Sequence, residues 1–231
     1  MKTAIRHFSK KVHRLQIKSS SIGRKVVMSI SGMFLILFLT LHLFINLTSL
    51  ISREAYETAC QFMDKNIFIK VMVPILALGF VIHILMAIIL TIQNRKARPI
   101  EYTVKSKTRI SWASKNMLVL GLIVLGLLAM HLSHFWAKMQ LQHFLGNEGE
   151  NPYDLVKTLF SNSWYVGMYL IWIIALCYHV NHGFWSMFQS LGATNRRWIP
   201  RLQKIAVIYS HLIMVGYMLI PIYFYLGFGD K

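Results

Sequence analysis

Acidic residues are scarce in this 231-residue chain, and none lies within its long apolar runs. There are 8 Asp and Glu against 25 Lys and Arg, which gives a formal net charge of +17. Without a buried carboxylate, the sequence does not support a carboxylate proton path across a bilayer. The charge does not indicate a nucleic-acid binder either, because the basic residues are concentrated in the connections between apolar runs.

Cysteine is rarer still, since Cys60 and Cys177 are the only two. Cys60 falls in a predicted connection and Cys177 in the middle of a predicted span, so we expect no disulfide between them. Neither the spacing of a cysteine zinc site nor a nucleophilic triad or phosphate-binding loop is recognisable. These absences argue against hydrolytic and nucleotide-binding chemistry in this chain.

Apolar residues are abundant, at 55% of the sequence, and they are grouped into five runs of about 20 to 25 residues. Each run is long enough to cross a hydrocarbon core of about 30 Å as a helix. The sequence therefore predicts an all-α integral membrane protein, with one membrane domain over residues 1–231 built as a bundle of five transmembrane helices. The predicted spans are Val26–Thr48, Val71–Gln93, Met117–Trp136, Trp164–Phe188 and Ile205–Phe228.

Basic residues occupy every second connection. Residues 1–25 hold eight Lys and Arg, 95–115 hold seven and 189–204 hold four, whereas 49–70 and 137–163 hold three and two. By the positive-inside rule the N-terminal arm, residues 1–25, is cytoplasmic and the C-terminus lies outside. Some of these basic residues could also dock a soluble partner or acidic lipid headgroups.

Four of the ten histidines fall at two matched depths within the first four spans. His42 follows Lys25 by 17 residues and His131 follows Lys115 by 16, which is about 25 Å of helix in each case. His83 and His179 precede the cytoplasmic ends of their spans by 11 and 10 residues, about 16 Å. Spans one and three thus offer an outer pair, and spans two and four an inner pair.

Paired histidines at one depth are what a bis-histidine haem requires. Neutral imidazole is the form least costly to bury, and coordination satisfies its lone pair. Gly79 and Gly183, one turn from the inner histidines, would let a flat macrocycle approach the backbone. The alternative is that each histidine only forms hydrogen bonds between helices. The agreement of two depths favours two haems, held by His42 with His131 and by His83 with His179.

Further polar residues share faces with these candidates. His134 lies three residues beyond His131, where outer propionates or a quinone headgroup would sit, and His182 with Ser186 lies on the inner side of His179. Ser31 shares a face with His42 and is a candidate for hydrogen bonding the inner haem. His211 has no mate at its depth, and we interpret it as structural or quinone-side.

Several short motifs are similar to those of a known family. They are His42 with Asn46 after Ser31-Gly32, His83 followed by Gln93-Asn94 and Ala97-Arg98-Pro99, His131 before Phe135-Trp136, and His179 with Gly183, Ser186, Phe188-Gln189 and Gly192. With these motifs, over all five spans, the chain resembles the cytochrome b558-type di-haem membrane anchor of succinate dehydrogenases and fumarate reductases.

The resemblance implies a role and partners. In that family the corresponding histidines ligate two b haems, first with third and second with fourth. A flavoprotein and an iron–sulfur subunit would dock on the cytoplasmic face of a bacterial inner membrane, and electrons would pass between the iron–sulfur subunit, the haems and menaquinone. Some members have a glutamate two residues before the fourth ligand, where this chain has Cys177. Transmembrane proton movement is therefore not implied here.

Three carboxylates and two rival functions complete the predictions. Glu54, Glu57 and Asp64 are candidates for quinone protonation near the outer haem, against the plainer interpretation of solvated loop charges. The rivals are the cytochrome b of a membrane hydrogenase or formate dehydrogenase, and a non-redox membrane protein with structural histidines. The distribution of histidines over four spans and the motifs after His83 and His179 argue against the first rival.

Overall fold

The structure is a computed structural model that describes residues 21–96, 112–193 and 195–230. These residues form helices joined by turns, with no strand in the described ranges. The α-helices are α1 (Ser21–Leu47), α2 (Arg53–Lys65), α3 (Ile67–Lys96), α4 (Trp112–Lys115), α5 (Met117–His131), α6 (Gln140–Phe144), α7 (Pro152–Phe160), α8 (Ser163–Ser190) and α9 (Trp198–Tyr225). A π-helical turn, Leu132–Trp136, extends α5, and 3-10 turns lie at Thr48–Leu50 and Phe228–Asp230.

Five of these helices are long and apolar enough to cross a membrane, which confirms the predicted fold class. Their large apolar side chains remain exposed in the isolated chain. Leu37, Phe44, Leu78, Ile171 and Leu212 each keep more than half of their surface accessible. A soluble protein would not expose such a band of apolar surface, whereas lipid tails cover it without cost. The chain is therefore a multi-pass membrane protein.

Helix ends differ from the predicted spans where polar residues extend the helix. α9 begins at Trp198, seven residues before the predicted fifth span, because the basic stretch Arg201–Lys204 is itself helical. It ends at Tyr225, since Gly227 adopts a positive φ of 76°. Pro74, expected near the start of the second span, lies inside α3. Most of the predicted arm (1–20) and most of the basic connection 95–115 (97–111) lie outside the described residues.

Two helices form the centre of the bundle. α8 packs closely against α1, α5 and α9, and α1 packs closely against α3, α8 and α9. α3 is peripheral and has no buried residue. Neither α1 with α5 nor α3 with α8 is among the closely packed helix pairs of the described structure. Side chains must therefore reach across the space between the members of those two pairs.

A cap covers one end of the bundle, and we define it as residues 48–66, 137–162 and 226–230. Arg53 of α2 donates to both carboxylate oxygens of Asp154 at 2.9 and 2.7 Å and to Glu57 at 2.8 Å. Its guanidinium carbon also lies 5.4 Å from the ring centre of Tyr153, and Asn151 donates to Glu57 at 2.8 Å. These contacts join α2 to α7 and close the cap. We call the opposite end of the bundle the basic end.

α9 has none of the predicted ligands, but it holds α1 in place by hydrogen bonds into its backbone. Tyr217 donates to the carbonyl oxygen of Leu39 at 2.8 Å, and Tyr209 donates to that of Ile36 at 3.2 Å. Between these two tyrosines Gly216 lies against Leu43, so that a Cβ placed on the glycine would be 2.8 Å from Leu43 Cδ2. Leu43 is buried and next to His42. The approach of α9 to α1 therefore depends on a missing side chain.

We expect Gly216→Val to lower the free energy of unfolding by about 1–3 kcal/mol, because the added methyls overpack the contact with Leu43. The measurement is an SDS titration in mixed micelles followed by circular dichroism. Gly167→Val is the matched control, since a Cβ on Gly167 meets nothing within 4 Å and the residue is also helical. Equal losses in the two variants would contradict the tight α1–α9 contact.

Candidate functional site

Two pairs of histidine side chains meet inside the bundle. The ring centres of His42 on α1 and His131 on α5 are 5.7 Å apart, with the ring planes at 89°. Those of His83 on α3 and His179 on α8 are 6.4 Å apart, with the planes at 68°. We call them the cap-side pair and the basic-side pair. Depth matching had predicted that these residues pair in this way, and the structure brings the same residues together; ligation by them stays a prediction.

The two pairs lie at different levels of the bundle. On α1, Ser31 and Gly32 lie beside His83, and they precede His42 by eleven and ten residues, about 15 Å of helix. On α5, Gly121 lies beside His179 and precedes His131 by ten residues, again about 15 Å. Two independent helices thus give the same separation between the layers.

Aromatic side chains surround the cap-side pair. Phe38 stacks on His42 with ring centres 5.3 Å apart and planes at 20°, and Phe135 lies 5.1 Å from the His131 ring. Tyr217 of α9 lies 6.2 Å from the His42 ring. Such surroundings exclude water and favour an uncharged imidazole over an imidazolium.

Small residues surround the basic-side pair instead. A Cβ placed on Gly32 would lie 3.4 Å from His83 Cε1, and one on Gly121 would lie 3.7 Å from His179 Cε1. Larger side chains at these two positions would push against the rings. Neither glycine is among those predicted from the sequence to make room for a macrocycle. A glycine at the same depth as a predicted ligand could have indicated both positions.

Gly79 and Gly183, which the sequence predicts to make room for a macrocycle, have different surroundings. Gly79 packs against Phe34, because a Cβ there would lie 3.0 Å from two ring carbons, so its role in the structure is helix packing. Gly183 has open space, with nothing within 4 Å of a Cβ. The number of residues between a glycine and a histidine does not determine which neighbouring helix the glycine faces.

Two of the buried histidine nitrogens make no hydrogen bond to the described residues. In the described part of the chain no hydrogen bond joins the two rings of either pair, and Nδ1 of His179 is buried without a partner. Nδ1 of His182 is buried and unpartnered as well. A buried polar atom without a partner costs about 1–3 kcal/mol, so a partner from outside the chain is expected to supply the missing interactions.

The geometry of the pairs fits a metal held between two imidazoles. Two imidazoles that bind one metal from opposite sides at about 2 Å have ring centres about 6 Å apart. Over residues 21–96, 112–193 and 195–230 no group of three or more His, Cys, Asp or Glu could hold a bare metal ion. Each pair offers two imidazoles, which is the number of protein ligands that an iron would take if a porphyrin supplied its other ligands. The residues present therefore fit haem.

The neighbouring histidines and serine are engaged in different ways. His134 lies in the π-helical turn, and its Nδ1 is 3.3 Å from the hydroxyl of the buried Tyr169. π-Helical turns occur often at functional sites. His182 packs edge-on against Trp185 at 5.1 Å, whereas the Ser186 hydroxyl donates to the carbonyl oxygen of Gly183 within its own helix. His211 is exposed and hydrogen-bonded to the Val207 carbonyl oxygen, consistent with a structural role.

The three carboxylates considered for quinone protonation all lie in the cap. Glu57 is paired with Arg53, Asp64 accepts a hydrogen bond from Gln140 at 3.3 Å, and Glu54 is exposed in the first turn of α2. Among the described residues none of the three is hydrogen-bonded to a histidine. The structure links the cap to His42 differently. Tyr56 donates to the Oδ1 atom of Asn46 at 3.3 Å, and Asn46 donates to the His42 carbonyl oxygen at 2.7 Å.

No family model, curated protein or solved structure matches this chain.

The reactivity of the Cys60 thiol, which lies next to Tyr56 in the cap, tests whether the cap is closed. Both cysteines are free, as expected from the sequence, and burial raises the pKa of the Cys60 thiol to about 11. We expect alkylation by a maleimide at pH 8 to be roughly a hundredfold slower than for an unperturbed thiol of pKa about 8.5. The rate should rise about tenfold per pH unit up to pH 10, because the thiolate is the reactive form.

A Cys177→Ala background isolates the Cys60 signal, and the same chain unfolded in SDS is the control. Equal rates in the folded and unfolded chain would show that the cap does not bury Cys60.

Proposed function

We propose that this chain is the membrane-anchoring, di-haem cytochrome b subunit of a succinate:quinone or quinol:fumarate oxidoreductase. In this role it passes electrons between an iron–sulfur subunit and menaquinone, while the dicarboxylate chemistry takes place in a partner flavoprotein. The observation that supports it best is that two pairs of histidine rings face each other at two levels of a five-helix membrane bundle, with no hydrogen bond between the two rings of a pair.

His42 and His131 would hold one haem, and His83 and His179 the other. Haem b, when bound, supplies reversible one-electron transfer in a layer closed to water. The chain would provide the ligand nitrogens, excludes water with Phe38 and Phe135, and brings the helix backbone close to the rings at Gly32 and Gly121. With layers about 15 Å apart along α1, the two pairs would form a path across most of the membrane.

The buried Nδ1 of His182 supports a polar group of the ligand at the basic end. Its ring lies one turn from His179 toward that end of α8, and Nδ1 has no partner in the part of the chain that the structure describes. A haem propionate accepts hydrogen bonds and would satisfy that donor. His134 occupies the corresponding position toward the cap, beside the cap-side pair. Ser186 is less suited to this role, because its hydroxyl is already bonded to Gly183.

Charge supports the arrangement of the partners. Arg24, Lys25, Arg95, Lys96, Lys115 and Arg197 all lie near the basic end of the bundle. This end would face the cytoplasm of a bacterial inner membrane and dock the flavoprotein and iron–sulfur subunits. The cap would lie outside, with menaquinone near the cap-side pair. Glu54 and Asp64 are then more available for quinone protonation than Glu57, which is bound to Arg53.

The contrasting hypothesis is a non-redox membrane protein in which the histidines join helices. Interhelical histidines stabilise a bundle by hydrogen bonds across the contact. His134 makes a contact of this kind with Tyr169, and His83 makes one with Ser31, whereas the two rings of each pair are not bonded to each other. The missing bond within each pair favours ligation by the four paired histidines, and the bond to Tyr169 favours a structural role for His134.

We expect the purified chain to bind two haems b. His42→Ala and His83→Ala should each lose one, because each removes a histidine that would hold the haem of a different layer. The measurement is a dithionite-reduced minus oxidised spectrum, with haem quantified per polypeptide. His211→Ala is the control, since His211 is exposed, bonded within its own helix and without a facing imidazole. A folded wild-type chain without haem would contradict the proposal and favour structural histidines.

The electron donor distinguishes the proposal from the alternative that the chain is the cytochrome b of a membrane hydrogenase or formate dehydrogenase. Succinate should reduce the haems in membranes that contain the assembled complex, whereas hydrogen or formate should not. Reduction by hydrogen or formate alone would assign the chain to a hydrogenase or formate dehydrogenase instead.

A further inference from the structure

Helix α3 contributes His83 and lies at the periphery of the bundle. It has no buried residue, and its main neighbour is α1. Apolar contact alone is weak between helices in lipid, because the tails are as apolar as the side chains they replace. In the described ranges, the hydrogen bond between Ser31 Oγ and His83 Nδ1, at 3.2 Å, is the one side-chain hydrogen bond from α3 to another long helix.

The surroundings of Ser31 determine which partner donates the proton in that bond. The Ser31 hydroxyl has a single hydrogen, and its oxygen lies 3.0 Å from the carbonyl oxygen of Met28, which can only accept. With the hydroxyl donating to Met28, its oxygen is left to accept from His83. The proton of the neutral His83 ring then lies on Nδ1, and the lone pair of Nε2 is free.

The other three paired histidines have no comparable restraint in the described residues. The amide nitrogen of Asn46 lies 3.4 Å from both ring nitrogens of His42, so it does not select one of them. Nδ1 of His179 has no partner. No side chain is hydrogen-bonded to the His131 ring. His83 is thus the one paired histidine whose tautomer the protein selects.

We propose that Ser31 is a positioning residue for His83. It holds the imidazole in the tautomer that carries its proton on Nδ1, so that Nε2 is available to a metal in the basic-side layer. The consequence for haem rests on the proposed function, whereas the selection of the tautomer does not. Outer-shell hydrogen bonds of this type orient ligand histidines and commonly change metal affinity by about 10- to 100-fold.

The first experiment needs no haem. The full-length chain is produced under haem-limiting conditions with ¹⁵N-labelled histidine, and the His83 signals are assigned by their absence in His83→Gln. We expect wild-type His83 to show a protonated Nδ1 and an unprotonated Nε2. In Ser31→Ala the ratio of the two tautomers should shift by about fivefold toward protonated Nε2, since a neutral hydrogen bond contributes about that factor.

Two further variants separate hydrogen bonding from packing. Ser29→Ala removes a second buried hydroxyl from α1, two residues away, and should leave the His83 signals unchanged. Ser31→Thr keeps the hydroxyl and should restore the wild-type tautomer. An unchanged tautomer in Ser31→Ala, or a protonated Nε2 in the wild type, would overturn the proposal.

The second experiment uses the haem-loaded chain. Ser31→Ala should weaken haem binding in the basic-side layer by about tenfold or more, while the cap-side haem and the Ser29→Ala control stay at wild-type affinity. A chain that selects the tautomer but binds no haem would refute the proposed function and leave the role of Ser31 intact. If Ser31→Ala binds both haems with the wild-type affinity, the effect of Ser31 on haem binding is refuted, whereas its selection of the tautomer is not.

Discussion

The arrangement of this bundle follows from the cost of placing imidazoles in hydrocarbon. Four histidines lie deep in the spans, and the structure turns them toward one another in pairs rather than toward lipid. Among the described residues the rings of a pair do not bond to each other, and Nδ1 of His179 has no hydrogen-bond partner. A ligand from outside the chain would satisfy such buried nitrogens, and a planar iron macrocycle is the ligand that we propose.

The packing of the helices fits this need. The histidine pairs join α1 with α5 and α3 with α8, and neither of these helix pairs is closely packed. By contrast, α8 and α9 pack closely, and α9 is hydrogen-bonded to α1. Each histidine pair thus bridges two helices that share a closely packed neighbour, α8 for α1 with α5 and α1 for α3 with α8. Gly216 permits the close approach of α9 at the level of His42, and Gly32 and Gly121 let the rings of the other pair lie close to the helix backbone.

The two layers differ in how their histidines are held. Aromatic rings and a contact with Tyr217 surround His42, and the closed cap lies above it. In the basic-side layer one serine restrains one imidazole, on a helix without a buried residue. If the two pairs hold haems, this difference in hydrogen bonding to their histidines would be one means of giving the haems different potentials.

Much of this could be predicted from the sequence, because spans must be apolar and about 20 residues long and because polar residues within them are costly. Those constraints alone predicted five helices and the pairing of His42 with His131 and of His83 with His179. The roles of Gly79 and Ser31 could not be predicted, because they depend on the rotation of each helix about its axis. Side-chain packing determines that rotation: it turned Gly79 toward Phe34 and Ser31 toward His83. Hydrophobicity thus determined the depth of each residue, and only the tertiary structure decided which neighbour it faces.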